Sequence, residues 1–223
     1  MRKFIIFLTI VVFFGCLAMG LYTSNLLPLN GQANAEAVTK PPGGLYQRNI
    51  AIIHVDDLKA ENPNLISIWG LIFYYPEPQI IFQPLYPIHV DGNQNISSRF
   101  AITKNGDPNP VFMQFLSEDN KITWDNYILV DSDGISLFTS AIAGAALPEG
   151  SDSPDIVLTV ESALYGQFCN TVMTNPQLQF NSVTWTDLIP DHFHSNIILD
   201  DILSGWARLT RVEQPLDCQV FGQ

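Results

Sequence analysis

Apolar and polar positions along the chain fall into a short set of elements. NIAIIHV (49–55) is a nearly continuous apolar run, the pattern of a strand covered on both faces. NLISIWGLIFYY (64–75) and QIIFQPL (79–85) are rich in β-branched and aromatic residues and flank Pro76-Glu77-Pro78, which predicts a hairpin. Pro84 and Pro87 then end regular pairing, because proline cannot donate to a ladder. The polar stretch from Ile88 to Asn109 predicts a loop.

Helical spacing dominates from there. Asn109-Pro110 has the form of a cap followed by proline in the first turn and predicts a short helix through Leu116. DNYILVD (125–131) predicts a strand that runs through Ser132-Asp133-Gly134, read as a turn and helix cap, into an apolar helix ending at Gly144. Ser153-Pro154-Asp155 starts another helix, in which Ile156, Val160, Leu164, Phe168 and Val172 recur every fourth residue as the expected buried stripe. A last amphipathic helix carries Ile202, Leu203, Trp206 and Leu209. Strands first, then mixed strands and helices, predict an α/β domain with a central mixed sheet flanked by helices, spanning 47–223.

The first 46 residues are of another kind. Arg2 and Lys3 precede an apolar stretch over residues 4–22, and no charged side chain follows until Glu36. That length suits a transmembrane helix, and the charge asymmetry keeps the N-terminus in the cytoplasm with the rest of the chain outside. The expectation is a retained single-pass signal-anchor, followed by a flexible tether over 23–46. The alternative is a secreted protein cleaved after Ala35, within the small-x-small site Ala33-Asn34-Ala35. Either way the domain is exported, and in an oxidising compartment Cys169 and Cys218 read as a disulfide rather than a metal pair or a nucleophile. Two buried free thiols are the alternative.

Composition narrows the partners. The 223 residues carry a formal net charge of −12 and only 14% charged side chains, against about 25% in a typical soluble protein. Two of the 10 basic residues are Arg2 and Lys3, so the exported part sets the remaining eight against all 22 acidic groups. A nucleic-acid partner is excluded on charge. The basic residues are scattered, whereas a diphosphate site needs a cationic clamp.

Candidate chemistry is sparse. Asp56 and Asp57 follow the first buried strand, at the strand end where α/β sheets place ligands, and two carboxylates there could hold Mg²⁺. A solvated loop start is the plainer reading. His192 and His194 alternate as zinc ligands on a strand would, with hydrogen-bonded histidines as the alternative, while His54 and His89 cannot be placed by periodicity. No Gly-x-Ser-x-Gly, Walker or His-Glu-x-x-His motif is present.

NIAIIHVDDL (49–58), the hairpin and DNYILVDSDGISLFTSAIAGA (125–145), behind a membrane anchor, resemble the LytR-CpsA-Psr proteins of bacterial cell envelopes. The resemblance runs in order over 47–212. It implies an extracytoplasmic α/β domain that transfers a lipid-linked glycopolymer to peptidoglycan, holding the pyrophosphate with arginines and Mg²⁺ and the polyprenyl tail in an apolar pocket. Asp56 matches the first family aspartate. Ser67 stands where the family has its second acidic residue, and Ile88, in Leu85-Tyr86-Pro87-Ile88-His89, stands in an arginine's place. The helix over 154–173 bears Asp155 and Glu161 instead of arginines. Each lost cation removes a charge-assisted hydrogen bond of roughly 1.5–3 kcal/mol. The expectation is a diverged, non-catalytic envelope domain that binds a lipid, glycan or protein partner. The alternative is a working phosphotransferase or pyrophosphatase that uses Asp56, Asp57 and Mg²⁺, with Arg99 or His89 from the loop.

Overall fold

Strand parity organises the molecule. In the structure, a computed structural model describing residues 46–87, 96–143, 154–175, 189–210 and 215–221, β1 (Gln47–Val55) runs through the middle of a six-stranded mixed sheet. It pairs antiparallel with β2 (Leu65–Tyr74) and parallel with β4 (Asn126–Asp131). Outward from these lie β3 (Gln79–Tyr86), antiparallel to β2, and β6 (Asp217–Val220), parallel to β3. β5 (Phe193–Ser195) closes the other edge, antiparallel to β4. The order is β5-β4-β1-β2-β3-β6, the central mixed sheet expected from the sequence.

A parallel β1–β4 pair requires a crossover, and the chain between them supplies one layer of helices. α1 (Ile96–Arg99) and α2 (Pro110–Asn120) cover one sheet face, where Ile96, Phe112 and Leu116 pack on Ala51, Ile53, Val55, Ile68 and Leu129. The polar stretch after Ile88 is thus not loop throughout: Ile96 is buried and folds one turn of helix onto the sheet. Asn109 caps α2 as expected, its side chain accepting from the Val111 N–H. The helix continues past Leu116 to Asn120, where Lys121 adopts a left-handed conformation.

Side chains of the opposite parity face a second helical layer. α3 (Ser132–Ala143), α4 (Pro154–Thr174) and α5 (Leu199–Thr210) follow β4 in sequence. Ile50, Ile52, Trp69, Leu71, Ile80, Phe82 and Val130 meet Ile135, Cys169, Val172 and Leu209 in this second core. Rings fill the space under α4: Tyr165 stacks on Phe82 at 4.5 Å and meets Trp69 edge-on at 4.9 Å, and Phe168 meets Phe82 at 5.8 Å. The buried stripe of α4 differs from the four-residue spacing. Ile156 is 47% exposed, while Glu161, Ser162, Cys169 and Val172 are buried. A strict period of four advances about 40° per step around a helix of 3.6 residues per turn, so a stripe exposed at Ile156 reaches the packed face only further along, at Leu164, Phe168 and Val172.

Cys169 of α4 and Cys218 of β6 form a disulfide, with their Cα atoms 5.1 Å apart. No helix among the described residues is long and apolar enough to cross a membrane. The apolar stretch 4–22, the tether and His89 lie outside the described residues.

Candidate functional site

Three polar side chains occupy positions that strand parity assigns to the second core. Ile50 and Ile52 point toward α4, and the next residue of that parity is His54. Across the ladder, Trp69 and Leu71 share the face, and Ser67 precedes them directly opposite His54. In β4, Ile128 and Val130 share it, and Ser132, first residue of α3, continues their parity. His54, Ser67 and Ser132 therefore lie in one row across three adjacent elements, at the carboxyl ends of β1 and β4. The β1–β2 register slips here, since Val55 pairs with Leu65 and leaves Ile66 extra. Bulges of this kind re-aim side chains and are common beside active sites.

Glu161 of α4 closes the row from above. It is 2% exposed and accepts three hydrogen bonds. His54 Nδ1 lies 2.5 Å and Ser67 Oγ 2.9 Å from Oε1, and Trp69 Nε1 lies 2.6 Å from Oε2. A buried carboxylate is costly unless its oxygens are matched by donors, and these three donors match it. On the far side of the ring, His54 Nε2 lies 3.0 Å from the half-buried Ser132 Oγ. In the neutral ring with Nδ1 donating to the carboxylate, Nε2 is the acceptor and the serine hydroxyl donates to it. Burial, then the charge on Glu161, push the neighbouring Tyr165 phenol well above its ordinary value, keeping it protonated.

The turn beneath Ser132 is held by two further groups. Asp131 Oδ1 accepts from the Gly134 N–H at 2.8 Å, the N-cap bond expected of Asp131-Ser132-Asp133-Gly134. Asp131 also meets His192 Nδ1, at 2.9 Å from Oδ2. A Cβ at Gly134 would lie 2.5 Å from the His192 carbonyl oxygen and 2.9 Å from Val130 Cγ2, so only glycine lets α3 start this close to β5.

Of the other residues singled out from sequence, Asp56, Asp57, His194 and Arg99 are placed elsewhere, while His192 stands beside Asp131. Asp56 closes the loop between β1 and β2: its Oδ1 accepts from the N–H groups of Asp57 and Asn64, each at 2.8 Å, and its Oδ2 from the Asn64 amide at 2.6 Å. Burial would raise its carboxyl, but the Asn64 and Asp57 donors outweigh it and hold the group below its ordinary value. Asp57 accepts from the Lys59 N–H at 2.8 Å. Each aspartate thus serves its own turn, and among the described residues no three His, Cys, Asp or Glu side chains converge. His192 and His194 pair with different carboxylates, Asp131 and Asp107. Arg99 stacks over Phe115 at 4.2 Å in the α1–α2 layer, on the sheet face away from His54.

Sequence reasoning passed over Ser132, His54 and Glu161 as a set. The available signal was a polar residue, His54 and Glu161, inside two apolar patterns, since buried polar groups occur with partners; Ser132, within the polar turn Asp131–Gly134, carries no such signal.

No family model matches the chain, and no curated protein does. Among solved structures, a protein of Eubacterium siraeum described as a transcription regulator superposes with a TM-score of 0.51 at 10% identity, over 87% of this chain and 89% of that one. Bacillus subtilis TagV gives 0.48 at 9% identity, over 79% and 85%. TagT bound to LIIa-WTA gives 0.49 at 10%, over 86% and 85%. At these identities the likeness is one of fold alone, and it is carried by the Eubacterium siraeum protein.

Proposed function

We propose that this chain is a membrane-tethered, extracytoplasmic envelope domain that keeps the LytR-CpsA-Psr-like fold without glycopolymer transfer, and that it engages an uncharged envelope lipid or glycan. The observation that carries this reading is Glu161. Where the resemblance implies arginines for a diphosphate, α4 presents a buried carboxylate already matched by His54, Ser67 and Trp69. Among the described residues, the arginines have other partners: Arg48 bonds Asn126 and Asp201, Arg99 covers Phe115, and Arg208 covers Tyr75. A diphosphate carries charge that an acidic centre repels, and an uncharged ligand avoids that cost. The charge of the whole chain, −12, acts in the same direction.

The test is a titration of the full-length chain with a long-chain polyprenyl diphosphate, with and without Mg²⁺. The expected result is no Mg²⁺-dependent binding. Tight Mg²⁺-dependent binding that disappears in Asp56→Ala would overturn the reading and restore the phosphotransferase alternative.

A further inference from the structure

We infer that Ser132, His54 and Glu161 form a serine-nucleophile site that cleaves an uncharged carboxylic ester, an inference resting on the reading that this centre has no diphosphate chemistry. Nucleophile, base and orienting acid are recognised by geometry and role rather than by order in the chain. Here the Ser132 Oγ to His54 Nε2 distance is 3.0 Å and the His54 Nδ1 to Glu161 Oε1 distance is 2.5 Å, the two contacts an activated serine requires. Each ring nitrogen has the partner its role needs. Glu161 is itself fixed by Ser67 and Trp69, so the ring orientation is set by groups outside the reacting pair.

The placement of Ser132 agrees. It stands in the first turn of a helix directly after a buried strand, the strand-turn-helix position from which hydrolase serines emerge. The Gly-x-Ser-x-Gly motif is absent, but its second glycine has a counterpart in Gly134, required for the same reason, close approach of helix and strand. The chain Ser132–His54–Glu161 runs from a half-buried serine to a fully buried acid, so the residue with the nucleophile is the more exposed end. The first turn of α3 supplies N–H groups without intrahelical acceptors as donors to an oxyanion, Gly134's being taken by Asp131.

The step balances without a co-reactant other than water. Ser132 Oγ bonds to the ester carbonyl carbon as its proton passes to His54 Nε2. The carbon–oxygen bond to the leaving group then breaks, and His54 returns the proton to the departing alcohol. Water attacks the acyl-serine with His54 again taking a proton, releasing a carboxylic acid and regenerating the hydroxyl. Ser132 and His54 are the catalytic residues, and Glu161 is a positioning residue.

The experiment treats the full-length chain with an alkyl fluorophosphonate, which transfers its phosphonyl group to an activated serine with loss of fluoride, and maps the adduct by peptide mass spectrometry. The expected adduct is on Ser132, absent in Ser132→Ala and slowed at least about a hundredfold in His54→Ala. Wild-type protein that is unlabelled, labelled at another residue, or labelled equally after denaturation overturns the inference, with no need for any variant to fold. Glu161→Gln is read by proton NMR, where the downfield His54 Nδ1–H signal is expected in wild type and Ser132→Ala and lost in Glu161→Gln. Hydrolysis of p-nitrophenyl acetate against p-nitrophenyl palmitate, both lost in Ser132→Ala, separates a short acyl substituent from a lipid ester as the source. Absence of diphosphate binding together with absence of the adduct would overturn this inference alone, whereas Mg²⁺-dependent diphosphate binding would overturn the reading beneath it.

Discussion

Ser67 lies directly opposite His54 in the β1–β2 ladder, and both side chains reach the same oxygen of Glu161. One backbone pairing thus places two donors for one buried carboxylate, which a helix then delivers.

Removing that carboxylate strands its partners. Glu161→Ala leaves the His54, Ser67 and Trp69 donors buried without an acceptor, and the expected loss is about 3–5 kcal/mol of unfolding free energy. Urea denaturation measures it. Glu161→Gln keeps an acceptor oxygen and is expected to lose less, and a Glu161→Ala loss under about 1 kcal/mol would contradict the burial described.

The disulfide joins positions 49 apart in sequence. Replacing Cys169 and Cys218 together by serine is expected to cost about 2–4 kcal/mol. Thermal melts with and without reductant check this, since reduction of wild type should bring its midpoint down to that of the double variant. Equal midpoints for all forms would show that the bond contributes nothing.

Asp107 makes stability depend on acid pH. Tyr127 donates to its carboxylate and His194 Nε2 lies 2.9 Å away, and these two contacts hold its carboxyl below the ordinary 3.8. Because the folded value is the lower one, the stabilisation is complete above the unfolded value and is lost as pH falls through the folded value. Asp107→Asn should therefore be less stable than wild type at pH 6, with the gap closing below about pH 4. Denaturant midpoints across that range decide it, and a gap independent of pH would count against the mechanism.

Gly134→Ala should be destabilising by about 1–3 kcal/mol, as overpacking usually is. The added Cβ meets a backbone oxygen at 2.5 Å, which cannot swing aside as a side chain can. If α3 and β5 separate, the fluorophosphonate adduct at Ser132 should fall with stability. A neutral substitution would mean the turn is looser than its geometry.

Most of the fold was legible because it follows local patterns. The apolar run of β1, the hairpin, the Asn109 cap and the strand-to-helix turn at Asp131 each carry their signal within a few residues. β5 and β6 were not legible. They span three and four residues at the sheet edges, too short for alternation to show, and their places are set by pairing with distant partners. The candidate site escaped for a related reason. His54 and Glu161 lie within apolar patterns and Ser132 within the polar turn Asp131–Gly134, Ser132 and Glu161 stand 78 and 107 positions from His54, and only the sheet register and the packing of α4 bring them together. Asp56 drew attention because it ends a buried strand, yet nearby Asn64 occupies it, a contact that depends on how the loop closes.

The Cys169–Cys218 bond also governs how the molecule meets its neighbours. β6 covers the outer edge of β3 with only four residues, pairing from Gln79 to Phe82, and an uncovered edge is a template for another chain's strand. A covalent link from β6 to the long helix α4 keeps that edge occupied even when the short ladder breathes. Reduction would release that guard and open β3 to another chain's strand, which would tie solubility as well as stability to an oxidising environment.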